Sequence, residues 1–478
     1  MTMHALYIIA VIIYEIVVVM TIIHVVMDNR QPAKTMAWAL VIYFVPVVGV
    51  VLYLFLGVNT RRQRMVSERS LNQLTKRSML EFVEQQNLEI SDRHRNIVDL
   101  FVNQNFALPF KDNSLEVIRT GHEFFLDLMA EMGSATKHIH IDMYAFEDDA
   151  LGRLIADVLI DKAHHGVEVR VIYDDVGCWS VHHSFFERMR ENGIEVCPFL
   201  AVRFPSFTSK VNYRNHRKMV VIDGRVGYIG GMNIAQRYVK GIGNQQWRDT
   251  MVKIRGGGVY GLQRAFLVDW YFVDRTLISN RQYYPPLDDT DSNLCLTQVV
   301  TSGPVTPYPE IMQGLVRIIH SATRYVYIET PYFLPNEPVL FALKTAAMGG
   351  VDVRIVVPRN TDSRFVQWAG RTYLYEVLSA GVKVYLYDGG FLHSKILVTD
   401  DGISTCGSTN IDFRSFENNF EANIFIYDHD TAVLFRRMAE EDMMQSHLLA
   451  HPTEHKHKLH RFMSHLWQSL TRLLSPLF

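Results

Sequence analysis

Asn215-His216-Arg217-Lys218-Met219-Val220-Val221-Ile222-Asp223 and Leu392-His393-Ser394-Lys395-Ile396-Leu397-Val398-Thr399-Asp400 are two copies of one pattern, H-x-K-x4-D. In each copy, His and Lys alternate at the start of an apolar run. On a strand, residues two apart point to the same side. The imidazole and the ammonium are therefore expected on one face, with the following apolar residues anchoring the strand in a core. A small-residue segment follows at the same distance in both copies, Gly230-Gly231-Met232-Asn233 and Gly407-Ser408-Thr409-Asn410. Small residues let backbone approach a phosphate, and asparagine can donate to it.

The duplication extends beyond the motifs. Ser134-Ala-Thr-Lys-His-Ile-His-Ile-Asp142 matches Ser321-Ala-Thr-Arg-Tyr-Val-Tyr-Ile-Glu329. Gly166-Val-Glu-Val-Arg-Val-Ile172 matches Gly350-Val-Asp-Val-Arg-Ile-Val356, and Gly193-Ile-Glu-Val196 matches Gly381-Val-Lys-Val384. Short β-branched runs bounded by glycine and separated by helix-like stretches predict alternating β and α with buried strands. The first copy carries extra residues before its motif, around 201–211, including Arg203, Phe204, Phe207 and Lys210. They are expected to form a loop that touches lipid or substrate, or an ordinary surface insertion.

The paired motifs suit phosphodiester exchange. That chemistry needs a nucleophile, an acid for the leaving alkoxide, and cations on the non-bridging oxygens. Two histidines divide the first two tasks. Two lysines and two asparagines hold the developing negative charge. No cofactor or metal is required, and there is no obvious carboxylate cluster to bind one. A lone motif among 20 histidines would read as structural. Two motifs inside a repeat do not.

The chain has 478 residues, with 48% hydrophobic residues and a formal net charge of −2. The length suits two or three domains, and the charge gives no broad basic surface for nucleic acid. Four dispersed cysteines read as reduced thiols rather than a disulfide frame or zinc site. Leu6 to Met27 and Met36 to Val58 are apolar runs long enough to cross a membrane, which predicts a two-helix transmembrane hairpin. A cleaved signal peptide is disfavoured by the long first run and the lack of an A-x-A-like site. Glu15, near mid-helix, costs about 2–3 kcal/mol on insertion scales and is expected to face the second helix or another subunit. Arg61, Arg62 and Arg64, with Lys76 and Arg77 beyond, outweigh Arg30 and Lys34 of the loop. The positive-inside rule then places both termini and the catalytic bulk in the cytoplasm.

From Leu459, apolar residues recur at helical spacing (462, 463, 466, 467, 470, 473, 474, 477), with Lys456, Lys458, Arg461 and Arg472 among them. The expected element is an amphipathic interfacial helix; the alternative is a helix packed on the catalytic domain. His451, His455, His457 and His460 have irregular spacing for metal binding.

The motifs resemble those of the phospholipase D superfamily, and the chain as a whole resembles the bacterial cardiolipin synthase family. Ala37-Trp38 through Pro46, Gly49, Tyr53 and Gly57 look like that family's anchor. Trp247-Arg248-Asp249, Glu329-Thr330-Pro331-Tyr332-Phe333 and Leu473-Leu474-Ser475-Pro476-Leu477 are also similar. The resemblance implies an α/β fold of two α/β/α sandwich halves forming one site. It implies that two phosphatidylglycerols give cardiolipin and glycerol through a phosphatidyl-histidine at a bacterial inner membrane. His216 is then the nucleophile and His393 the acid and base, an order that is reversible on the sequence alone. Glu421 is expected behind His216 and Asp249 behind His393. The candidate set is His216, Lys218, Asp223, His393, Lys395 and Asp400, supported by Asn233, Asn410, Asp249 and Glu421. Within it, Asp223 and Asp400 are expected to support the fold rather than touch substrate.

The expected divisions are an anchor at 1–59, a helical linker at 60–110, halves at 111–290 and 291–450, and the tail at 451–478. A hydrolase acting on lipid or nucleic acid shares the motif, as does another donor or acceptor lipid. The anchor and the charge disfavour nucleic acid. Two intact motifs speak against a non-catalytic lipid-binding scaffold. Oligomeric state is open.

Overall fold

The computed structural model describes residues 3–27, 32–57, 88, 90–202, 212–243, 245–278, 280–286, 295–306, 308–450, 467 and 472. The insertion residues Arg203, Phe204, Phe207 and Lys210, the basic residues Arg30, Arg61, Arg62, Arg64, Lys76 and Arg77, and nearly all of the tail lie outside them.

Two copies of one unit follow each other. The first has strands β1 (Phe110–Ile118), β2 (His138–Met143), β3 (Glu168–Asp174), β4 (Glu195–Phe199), β5 (Lys218–Ile222), β6 (Val226–Gly230) and β7 (Met251–Arg255). The second has β8 (Cys295–Ser302), β9 (Tyr325–Glu329), β10 (Asp352–Pro358), β11 (Lys383–Tyr387), β12 (Ile396–Thr399), β13 (Ile403–Gly407) and β14 (Asn419–Tyr427). The spatial order is β1-β7-β6-β5-β2-β3-β4 in the first half and β8-β14-β13-β12-β9-β10-β11 in the second, the same path twice. β1 and β8 pair antiparallel, so the halves form one continuous sheet. Within each half β2-β3-β4 and β9-β10-β11 are parallel.

Helices cover both faces. Gly121–Ser134, Ala150–His164 and His183–Glu191 bury Phe124, Leu128, Ile155, Leu159 and Met189 against one face of the first half. Glu310–Ser321, Glu337–Met348 and Arg364–Ser379 do the same for the second half, joined by Asp92–Asn105. Gly258–Asp274 and His429–Met444 lie on the opposite face, in a core shared by both halves. Strand alternation sorts the side chains: Ile139 and Ile141 face the three-helix layer, while His140 stacks on Phe266 at 4.3 Å on the other side. The glycines that mark the repeat, Gly166 and Gly350, have φ of +85° and +92°, where they end helices that feed parallel strands.

At the N-terminus, α1 (Met3–Met27) is one continuous helix of 25 residues with hydropathy 2.7, long and apolar enough to span a bilayer. The second apolar run differs from the expected single helix. It divides into α2 (Pro32–Phe44), α3 (Pro46–Leu52) and a π-helical turn, Tyr53–Gly57. Pro46 has no N–H to continue the helix, and Val45 leaves helical geometry at φ −129°, ψ 64°. A Cβ on Gly49 would lie 2.6 Å from the Val41 carbonyl oxygen, so glycine is what lets α3 approach α2. Val18, Ile22 and Val25 of α1 pack against Trp38, Ile42 and Tyr53. Glu15 is exposed outside this contact rather than facing the second segment.

Candidate active site

Each motif begins where one half exchanges a short strand with the other. Arg214–Asn215 pairs in parallel with Asn419–Phe420 of β14, and the His216 N–H donates to the Phe420 carbonyl at 2.9 Å. Phe391–Leu392 pairs in parallel with Trp247–Arg248, and the His393 N–H donates to the Arg248 carbonyl at 2.7 Å. This crossing delivers a carboxylate from the opposite half to each ring. His216 Nδ1 lies 3.0 Å from Glu421 Oε1, and His393 Nδ1 lies 2.6 Å from Asp249 Oδ2. A carboxylate on Nδ1 orients the imidazole, fixes its tautomer and leaves Nε2 for chemistry.

The second residue of each G-[GS]-x-N segment seats these carboxylates. A Cβ at Gly231 would meet Asp249 Oδ1 at 2.1 Å, so glycine makes the space. In the other half Ser408 donates its hydroxyl to Glu421, which also accepts from Asn419 Nδ2 at 3.1 Å. Asn233 is engaged by the frame: it accepts from the Ala145 N–H at 3.1 Å and donates to the Tyr238 hydroxyl at 2.8 Å. Asn410 differs. Its Oδ1 is buried and has no hydrogen-bond partner among the described residues.

Lys218 and Lys395 are both buried. Lys218 donates to the His216 carbonyl at 2.6 Å, and its ammonium lies 5.1 Å from the Tyr144 ring centre. Lys395 donates to the His393 carbonyl and lies 2.9 Å from His393 Nδ1. Burial, opposed by Glu421 and added to by the Lys395 charge, lowers Lys218 to about 7. Burial lowers Lys395 to about 8, against the pull of Asp249 and Glu421. Burial and the Lys395 charge take His393 down to about 3. His216 is also lowered, by burial and by Lys218 and Lys395 against the opposing effect of Glu421. Burial acts to raise Asp249 and Glu421, but the cations outweigh it, so both stay below the ordinary carboxylate range. At neutral pH the site therefore holds two neutral imidazoles and two charged carboxylates, beside two lysines that titrate close to that pH.

Asp223 and Asp400 do other work. Asp223 accepts from the N–H groups of Thr136, Lys137 and His138 at 2.8, 2.8 and 2.9 Å. Asp400 accepts from those of Thr323, Arg324 and Tyr325 at 2.8, 2.9 and 2.9 Å, and from Arg93 at 3.1 Å. They tie the end of the motif strand to the start of the neighbouring antiparallel strand, so they support the fold and do not join the histidines. Burial acts to raise Asp400, but the backbone donors from Tyr325 and Thr323 outweigh it and hold it below its ordinary value. Its contribution to stability is thus present at neutral pH and is lost as pH falls through the folded-state value. Asp400→Asn is expected to cost about 2 kcal/mol and to flatten the acid side of a thermal-unfolding profile in detergent. A stability curve identical to the parent's between neutral and acid pH would refute this role.

Several neighbours are not apparent from the motifs. Tyr144 lies 5.0 Å from the His216 ring and Trp247 lies 5.1 Å from the His393 ring. A guanidinium sits under each orienting carboxylate. Arg217 Nε donates to the Glu421 carbonyl at 3.1 Å and pairs with buried Asp269. Arg248 donates to the Asp249 carbonyl at 3.0 Å and pairs with Asp442 at 2.9 Å. Behind them, Asp142 and Glu329, equivalent in the repeat, are pushed up by burial and by the charges of Asp269 and Asp442; Glu329 reaches about 8.

Comparison with known proteins agrees with this geometry. Residues 128–266 and 315–443 match the family description "Cardiolipin synthase, PLD-like domain", and residues 16–57 match "Phospholipase_D-nuclease N-terminal". The chain is 35% identical to the major cardiolipin synthase of Bacillus subtilis over 96% of its own length and 97% of that protein's. It is 37% identical to cardiolipin synthase 2 of Bacillus cereus over 94% of its length and 88% of that protein's. It is 36% identical to cardiolipin synthase 1 of Staphylococcus epidermidis, covering 97% and 96% respectively. The crystal structure of phosphatidylserine synthase from Haemophilus influenzae superposes with a TM-score of 0.61 at 15% identity, covering 81% of this chain and 100% of that one, a likeness of fold. With two matched domains in tandem and near full-length relatives, the chain belongs to the bacterial cardiolipin synthases of the phospholipase D superfamily.

Proposed function

We propose that the chain is a phosphatidyltransferase that joins two phosphatidylglycerols into cardiolipin and glycerol. The observation that carries the reading is the pair of histidines, each with a carboxylate from the opposite half on Nδ1. His216 Nε2 attacks the donor phosphorus, and His393, which takes up a proton from solvent as the anionic phosphate binds, gives that proton to the departing glycerol oxygen. His393 then takes the proton from the terminal hydroxyl of a second phosphatidylglycerol. That oxygen attacks phosphorus, the bond to His216 breaks, and cardiolipin leaves. Lys218 and Lys395 neutralise the non-bridging oxygens. The bonds made and broken are alike, so the reaction runs both ways without an activated donor.

The exposed apolar residues of α2 and α3, such as Leu40, Val47 and Val48, support membrane insertion of both N-terminal segments. The remaining assignments are a cytoplasmic catalytic part at the inner membrane, the five chain divisions given above and an interfacial tail. Purified protein given phosphatidylglycerol alone in mixed micelles is expected to release glycerol and cardiolipin in equal amounts by mass spectrometry. Phosphatidic acid as the main product would instead favour a hydrolase.

The lysines predict a pH dependence. In the empty site they lose protons near pH 7 and pH 8, and a neutral amine no longer attracts a phosphodiester. kcat/KM is therefore expected to fall as pH rises through that range. The bound anion raises both values, so the alkaline limb of kcat is displaced upward. Coincident alkaline limbs for kcat and kcat/KM would contradict this.

A further inference from the structure

Two cavities of opposite character adjoin at the C-terminal ends of β9, β10 and β11, where open α/β sheets bind ligands. One, of about 170 Å³, is mainly apolar, walled by Phe333, Val366, Leu374, Leu386 and Leu449 beside Gly370. The other, of about 510 Å³, is polar, lined by Gln245, Asn360, Asp388, Gly389 and Gly390. Arg359 lines both. It donates one N–H to Asp388 at 2.9 Å, which leaves further donors on the guanidinium. Arg371 borders the apolar cavity and has no ion-pair partner among the described residues.

The polar cavity ends beside the strand that carries His393. Gly390 packs against the Gln246 backbone at the head of the strand leading into His393. The surfaces thus run apolar, cationic and polar, and the polar one borders the strand that leads into His393. An acceptor phosphatidylglycerol presents the matching order: acyl chain, unreacted phosphate, glycerol, attacking hydroxyl. A donor does not, because its phosphate must sit at the histidines themselves. Arg472 of the tail pairs with Glu376 at 2.6 Å and lies over Tyr373 at 4.5 Å, on the helix that walls the apolar cavity. That contact brings Arg472 to the helix that carries Gly370 and Leu374 of the cavity wall.

We propose that these cavities are the acceptor subsite: the apolar one takes an acyl chain, Arg359 and Arg371 hold the acceptor phosphate, and the polar one admits its glycerol to His393. This rests on the transferase reading above. The test is the ratio of two reactions of full-length protein in mixed micelles, cardiolipin synthesis and exchange of labelled free glycerol into phosphatidylglycerol. Exchange uses the donor site and a small soluble acceptor, so it bypasses the lipid acceptor subsite. A Cβ at Gly370 would meet only the Phe333 carbonyl oxygen, at 3.3 Å, so a larger side chain there extends into the cavity. Gly370→Leu is expected to lower the synthesis-to-exchange ratio about tenfold, the worth of roughly two displaced methylenes. Arg371→Gln, on the exposed surface, is expected to raise the KM for acceptor lipid and to lower the ratio severalfold. A parental ratio in both variants, or in Arg371→Gln alone where Gly370→Leu does not fold, overturns the subsite. Absence of both reactions in the parent enzyme would instead overturn the transferase reading.

Discussion

His216→Ala protein is expected to make cardiolipin at least about 10⁴-fold more slowly than the parent, because removing a nucleophile leaves only binding and electrostatic effects. The companion variant separates the two histidines. Glycerol leaves poorly without an acid, so His393→Ala should also be slow on phosphatidylglycerol. A donor with a nitrophenol leaving group needs no proton. With it, His393→Ala is expected to release one equivalent of nitrophenol in a burst and then stall, since nothing activates the incoming alcohol. Mass spectrometry of the quenched protein should then find the phosphatidyl group on His216. Burial and the adjacent Lys395 depress His393 to about 3, so the proposed order requires that ring to take up a proton as the substrate binds. Label on His393 in His216→Ala protein would reverse the assignment.

Most of the architecture is legible in the chain because the fold is written twice. A β-branched run on its own is ambiguous, but matched runs with matched glycines predict matched strands, and the two halves do share one strand order. The motif histidines and lysines are legible for the same reason. Placement of Glu421 and Asp249 behind the opposite histidine came from resemblance, not spacing, since the exchange of short strands between halves has no local signature. Other features were out of reach. The asparagines occupy equivalent positions, yet Asn233 is consumed by Ala145 and Tyr238 while the Asn410 amide oxygen has no partner among the described residues. The difference lies in the neighbours, Tyr238 in one half and Ser415 in the other. The guanidiniums were hidden too: Arg217 occupies the x of its motif, but the other motif has Ser394 there, and Arg248 is supplied from the opposite half. The break at Pro46 was readable from proline chemistry and was masked by the apolar character around it.

Asp249→Asn and Glu421→Gln are each expected to lower kcat by about 10⁴-fold with a much smaller change in KM, comparable to loss of the orienting carboxylate in other histidine-based sites. The amide that replaces each carboxylate still accepts one hydrogen bond, but it carries no charge and allows the imidazole to turn or to hold its proton on the wrong nitrogen. The local charge balance makes the loss larger. Asp249 and Glu421 are the anions that oppose burial at Lys395 and Lys218. Without them, the lysines should titrate at still lower pH, so the alkaline fall in kcat/KM moves to lower pH in both variants. The two substitutions also part at the first step. Glu421 orients the attacking ring, so Glu421→Gln should slow the nitrophenol burst itself. Asp249 serves the acid and base, so Asp249→Asn should leave the burst near the parental rate and slow the turnover that follows. Rapid-quench measurement of burst and steady state on one preparation reads both effects. Equal slowing of the burst in the two variants would mean that the carboxylates act on the site as a whole and not each through the histidine it touches.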